Sequence, residues 1–232
     1  MLKGGNKMES IISGDGLPVV TCKLKKGESI ISENGGMSWM DPKIKMETTT
    51  NGGIMKGLGR VLSGESIFMN SFTAEEDDVE ISFASSFPGK ILELNLAPEE
   101  SIIAQKRAFL CGESSVNMKM HFRKNLGAGL FGGEGFIMQK VTGPGKVFLE
   151  IDGDLVKKEL AAGEKLVIDN GYLAAMTEGV ELNIETVKGL KNIVFGGEGL
   201  FITMLTGPGT VWLQSMPVSN LVGLIAAGLP RD

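Results

Sequence analysis

One stretch of this chain is written twice. Residues 131–149 read FGGEGFIMQKVTGPGKVFL and residues 195–213 read FGGEGLFITMLTGPGTVWL, aligned without a gap at an offset of 64 residues. Phe131/Phe195, Glu134/Glu198, Thr142/Thr206, Pro144/Pro208, Val147/Val211 and Leu149/Leu213 all pair. A repeat constrains a fold more than composition does, because a short unit that cannot bury its own apolar face must stack on its copies. A more diverged third copy lies upstream. Gly64-Glu65-Ser66-Ile67-Phe68 matches Gly133-Glu134-Gly135-Phe136-Ile137, and Thr73 follows at the distance of Thr142 and Thr206 in theirs. There the Gly-Pro-Gly turn is replaced by an acidic loop, Ala74-Glu75-Glu76-Asp77-Asp78.

A second block also recurs in each copy. Gly27-Glu28-Ser29-Ile30-Ile31 matches Glu99-Glu100-Ser101-Ile102-Ile103 and Gly163-Glu164-Lys165-Leu166-Val167. An alternating segment follows each, beginning at Ile44, Val116 and Val180. The units therefore start near residues 19, 91 and 155. Within them the period is two, the mark of half-buried strands. Val116, Met118, Met120 and Phe122 alternate with Asn117, Lys119 and His121, and Leu92, Leu94 and Leu96 alternate with Glu93 and Asn95. Asn34-Gly35, Asp152-Gly153 and Asn170-Gly171 supply the positive-φ residues of tight turns. The 33 glycines among 232 residues fit many short strands joined by such turns.

The expected fold is all-β, with three pseudo-symmetric repeats closing around a shared core in a single domain, residues 1–217. Residues 218–232 form an apolar tail. Leu221, Val222, Leu224, Ile225 and Leu229 lie in it, and positions 221, 224, 225 and 228 fall at helical spacing. These side chains are expected to bury on protein, in a groove of the same domain or on a second copy.

The doubled Phe-Gly-Gly-Glu-Gly…Thr-Gly-Pro-Gly run, the recurrent Gly-Glu-Ser/Lys block and the segment Ser215-Met216-Pro217 carry a resemblance. The chain is similar to the mitochondrial biogenesis "altered inheritance of mitochondria" family, from about Val19 to Leu229 and most specifically over 193–217. That resemblance implies a fold like the trp RNA-binding attenuation protein, in the double-stranded β-helix class. It also implies mitochondrial relatives concerned with inner-membrane organisation and bacterial relatives without an assigned activity. It brings no catalytic residues. The first residues, Met1-Leu2-Lys3-Gly4-Gly5-Asn6-Lys7, have neither an apolar signal core nor an arginine-rich pattern, so a bacterial, cytoplasmic protein without a transmembrane segment is expected.

Candidate chemistry is sparse. His121 is the one histidine and falls on the polar face of its strand, where solvent exposure is the expectation. With two unclustered cysteines, Cys22 and Cys111, it gives neither a zinc set nor a nucleophile pair, so no catalytic residue, cofactor or transition metal is expected. Gly127-Ala128-Gly129-Leu130-Phe131-Gly132 has the spacing of a dinucleotide loop but lacks the βαβ unit around it. Repeat-equivalent carboxylates are the one constellation to follow. Glu65, Glu134 and Glu198 share one position, and Glu28, Glu100 and Glu164 share another. Brought together on an axis, the first set would hold a hard cation; apart, such residues are polar strand starts. A net charge of −5 argues against nucleic acid as a partner. The function expected is that of a non-enzymatic β-scaffold that self-associates or binds another protein. The alternatives are an enzyme or small-ligand binder with a pocket in the β-core and, by fold analogy alone, a nucleic-acid-binding module.

Overall fold

Period-two alternation becomes strand after strand. The computed structural model describes residues 8–50, 68–124, 136–186 and 201–228. β1 (Glu9–Ser13) precedes the first sequence repeat, which holds β2 (Val19–Leu24), β3 (Ser29–Glu33), β4 (Trp39–Met40), β5 (Ile44–Thr50), β6 (Phe68–Ala74) and β7 (Val79–Ala84). The second holds β8 (Gly89–Leu96), β9 (Ser101–Gln105), β10 (Phe109–Glu113), β11 (Asn117–Lys124), β12 (Phe136–Thr142) and β13 (Gly145–Asp152). The third holds β14 (Leu155–Leu160), β15 (Lys165–Asp169), β16 (Leu173–Thr177), β17 (Glu181–Thr186), β18 (Phe201–Thr206) and β19 (Gly209–Gln214), followed by the helix α1 (Val218–Gly228). The fold is all-β, with α1 the one α-helix among the described residues.

The strands form two six-stranded sheets, β5-β6-β3-β10-β13-β8 and β11-β12-β9-β16-β19-β14, a four-stranded sheet β1-β2-β7-β4 and a three-stranded sheet β15-β18-β17. The sequence leads one to expect a single domain around one core. The described residues group into two compact units. The first draws its described residues from 8–100, 109–119 and 141–150, and the second from 101–108, 120–140 and 151–228. The second repeat is shared between them, because its strands pair forward and backward along the chain: β10 with β3, and β9 with β16.

Each unit has its own core. In the first, the four-stranded sheet gives Val20, Cys22, Ile81 and Phe83, and the larger sheet gives Ile30, Phe72, Cys111 and Phe148. Phe72 and Phe83 meet edge to face at 5.9 Å between ring centres, an arrangement the ring quadrupoles favour. Among the described residues β1 has no counterpart in the other repeats. It pairs with β2 over its whole length, Glu9 opposite Lys23 to Ser13 opposite Val19. The buried Lys146 holds it from the far side. Its Nζ donates to Met8 O at 2.9 Å and Ser10 Oγ at 2.8 Å, and lies 3.2 Å from Glu93 Oε1. A buried ammonium needs such partners to offset its lost hydration. In the second unit, Ile103, Met138, Met176 and Val211 face Val180, Ile184 and Leu205 of the smaller sheet and the turn before it.

The repeats also agree in their turns. The amides of Ile44, Val116 and Val180 donate to the carbonyls of Asp41, Glu113 and Thr177 at 3.1, 3.1 and 3.2 Å. The amides of Ala74, Gly143 and Gly207 donate to the carbonyls of Glu28, Glu100 and Glu164 at 3.0, 2.9 and 2.9 Å. In the two Gly-Pro-Gly copies this approach requires glycine. A Cβ at Gly143 would lie 2.4 Å from Ala97 O, and one at Gly207 2.4 Å from Ala161 O.

Candidate functional site

Glu28, Glu100 and Glu164 do one local job three times. Each carboxylate accepts the backbone N–H three residues earlier: Lys25 at 2.9 Å, Ala97 at 2.7 Å and Ala161 at 2.8 Å. The residue before each is left-handed, with φ of +86° at Gly27, +64° at Glu99 and +76° at Gly163. These glutamates close their own turns and are polar strand starts. Glu65, Glu134 and Glu198 lie outside the described residues. Among the described residues, no three His, Cys, Asp or Glu side chains stand together as a metal would need.

Cys22 and Cys111 are free thiols fully buried in the first core. Burial pushes the Cys111 thiol well up, and the neighbouring Cys22 adds to it. A thiol held protonated is a poor nucleophile.

α1 is fastened at its first turn. Asp152 Oδ2 accepts the Val218 N–H at 3.0 Å, a carboxylate at the positive end of a helix. Asn220 Nδ2 donates to Tyr172 Oη at 2.9 Å. Beyond that turn the helix stands off. Leu221 is half-buried, while Val222 is 58%, Leu224 67% and Ile225 55% exposed. A helix spans the positions with helical spacing, 221–228, and Val222, Leu224 and Ile225 are exposed on it. Leu229 lies outside the described residues.

The second unit holds the recess that the sequence does not disclose. A cleft of about 520 Å³ is lined by residues of β11 and β17, edge strands of the unit's two sheets among the described residues. Ile103, Met138, Met176 and Val180 form its apolar wall, and His121, Glu178, Glu181 and Asn183 its polar lining. Lys140 Nζ sits 2.5 Å from Glu178 Oε1. That bond to Lys140 holds the Glu178 carboxyl below its ordinary range, with His121 and the Ser101 hydroxyl acting in the same direction. His121 is exposed, as alternation requires, yet it lines this cleft. The cleft is open to solvent, and its lining mixes apolar and polar side chains.

Comparison with known proteins places these features in a lineage. The family model for mitochondrial biogenesis AIM24 matches residues 10–216. An uncharacterized protein of Streptococcus pyogenes serotype M6 is 29% identical over 223 residues, covering 93% of this chain and 88% of its own. The crystal structure of a Streptococcus pyogenes protein superposes with a TM-score of 0.79 at 25% identity, over 96% of this chain and all of the other.

Proposed function

This chain belongs to the mitochondrial biogenesis AIM24 family, and from that premise we propose that it is a non-enzymatic β-scaffold whose activity is binding, with a second copy of itself as the partner. The observation that carries this is the uncovered face of α1. An eleven-residue helix without a charged side chain presents Val222, Leu224 and Ile225 to water. Fully burying three such side chains contributes roughly 5–9 kcal/mol before entropy is subtracted, at about 1.5–3 kcal/mol each. Among the described residues no helix is long and apolar enough to cross a membrane. The architecture on this reading is of the double-stranded β-helix type, similar to the trp RNA-binding attenuation protein, with three pseudo-symmetric repeats. The recurrence of the glutamate turn in all three supports it. The Streptococcus pyogenes relative supports a bacterial setting. The test is light scattering of the full chain beside Leu224→Lys/Ile225→Lys. The parent is expected above monomer mass, and the variant shifted towards monomer. A monomeric parent, or a variant of unchanged mass, removes the reading.

The cleft favours a second reading, a binder of small apolar molecules. An environment-sensitive naphthylamine dye would brighten on binding there, and Leu182→Arg would abolish the gain. A dye signal indifferent to that substitution removes this reading.

A further inference from the structure

Two junctions between repeats are built alike. In the first unit β3 pairs with β10, Ile31 opposite Gly112 and Ile30 opposite Glu113. In the second unit β9 pairs with β16, Ile103 opposite Met176 and Ile102 opposite Thr177. Each six-stranded sheet is thus two three-stranded halves: β5-β6-β3 joined to β10-β13-β8, and β11-β12-β9 joined to β16-β19-β14. The smaller sheets are single halves of the same two kinds. β17-β18-β15 ends in the strand that corresponds to β3 and β9, and β4-β7-β2, with β1 added, begins with the strand that corresponds to β10 and β16. The recurrent amide bonds to Asp41, Glu113 and Thr177 fix the correspondence of β4, β10 and β16, and the turns closed by Glu28, Glu100 and Glu164 fix that of β3, β9 and β15.

β15 and β4 therefore stand at sheet edges where their counterparts are central, and neither edge has a partner strand among the described residues. The side chains record the difference. Val167 is 55% exposed, whereas Ile31 and Ile103 at the same position are 8% and 2%. Trp39 is 56% exposed, whereas Cys111 and Ala175 are both 0%. An open edge with apolar side chains beside it is a template for another strand. The chain makes this kind of junction twice between its own strands, and the half complementary to the β15 edge is the one that β4 presents.

We propose that β15 of one copy pairs antiparallel with β4 of a second copy, Val167 opposite Met40 and Leu166 opposite Asp41. This rests on the reading that the scaffold self-associates, and it assigns the contact to an edge distinct from α1. The brevity of β4 is no obstacle, since β3 and β10 also meet over two residue pairs. The contact is heterologous: every copy offers one edge of each kind, so copies join head to tail and either close a ring or continue.

The experiment mixes two single variants of the full chain, Met40→Cys and Val167→Cys, under copper-phenanthroline oxidation, and maps disulfides by mass spectrometry. Opposed residues in an antiparallel pair have Cα atoms roughly 4.5–5.5 Å apart, within the span of about 4.4–6.8 Å that a disulfide bridges. The expected result is a covalent dimer linked from position 40 of one chain to position 167 of the other. No such bridge, or a bridge formed only when both cysteines are on one chain, overturns the proposal. Val167→Lys, which charges the edge without a cysteine, is expected to lower the mean mass in light scattering; an unchanged mass also overturns it. Repeating the mixture with Leu224→Lys/Ile225→Lys in both chains separates the two surfaces. A 40–167 bridge that survives supports the edge contact independently of the helix, and a bridge lost only in that background overturns the edge contact as a separate surface.

Discussion

β9 and β15 come from the same block of the repeat and lie in opposite surroundings. All five residues of Ser101–Gln105 are buried, whereas Lys165–Asp169 alternates between exposed and half-buried. Apolar content does not explain this, since the middle residues are Ile-Ile-Ala in β9 and Leu-Val-Ile in β15. Neighbours do: β9 lies between β12 and β16, while β15 has β18 alone. The ends have changed accordingly, from Ser101 and Gln105 to Lys165 and Asp169. Charges at the ends of an edge strand discourage indiscriminate pairing. A strand's burial here belongs to the junction it enters rather than to its own hydrophobicity.

The most direct way to break this comparison is paired truncation. Ile103→Ala is expected to cost about 2–5 kcal/mol, as for a large aliphatic removed from a packed core. Val167→Ala should stay within about 0.5 kcal/mol, as for an exposed site. Urea unfolding of both variants decides it, and equal losses would show that the two strands do not differ in environment. A smaller effect tests what the repeats share. Glu28→Ala, Glu100→Ala and Glu164→Ala each remove one side-chain bond to a turn amide and should each cost about 0.5–1.5 kcal/mol. A loss confined to one of them would mean that the turns are not equivalent.

Removing the edge charges sharpens the comparison from the other side. Lys165→Val with Asp169→Val should leave unfolding within about 0.5 kcal/mol but raise light scattering with concentration. Scattering equal to the parent's at every concentration would show that these charges do not guard the edge. The smallest expected effect is at the cleft. Lys140 depresses the Glu178 carboxyl in the folded state. Its contribution is therefore present above the ordinary glutamate range, near pH ~4.3, and fades as the pH falls through the lower folded value. Glu178→Gln should slightly flatten that acid limb and leave stability unchanged below it. Because the pair is exposed, a large loss at neutral pH would mean that Glu178 has a structural role beyond Lys140.

Much of the fold was legible. Val116–Phe122 alternates, and the strand is there; positions 221–228 have helical spacing, and the helix is there. The repeat located the glutamate turns, since a left-handed residue followed by Glu recurs at each unit. β4 was not legible, because two residues, Trp39 and Met40, have no periodicity. β1 was missed because Glu-Ser-Ile-Ile-Ser does not alternate, and the residue that fastens it lies far along the chain. The division into two units was hidden for a related reason: pairing of β9 with β16, and of β10 with β3, depends on which strands meet and not on their composition. The cleft draws its lining from β9, β11, β12, β16 and β17, so no local window contains it. His121 is the one clue the sequence offered, and alternation correctly placed it in solvent without showing what stood beside it.

The lysine that holds β1 has a consequence for the order of events as the chain is made. Met8 and Lys146 are 138 residues apart, and synthesis proceeds from the N-terminus. β1 can lie along β2 as soon as both have emerged, but its second fastening must wait until β13 has been synthesised and set in its sheet. Until then the first strand is held by one ladder only. The fastening of β1 by Lys146 therefore waits for β13, as do the ladders that β8 and β10 make with that strand.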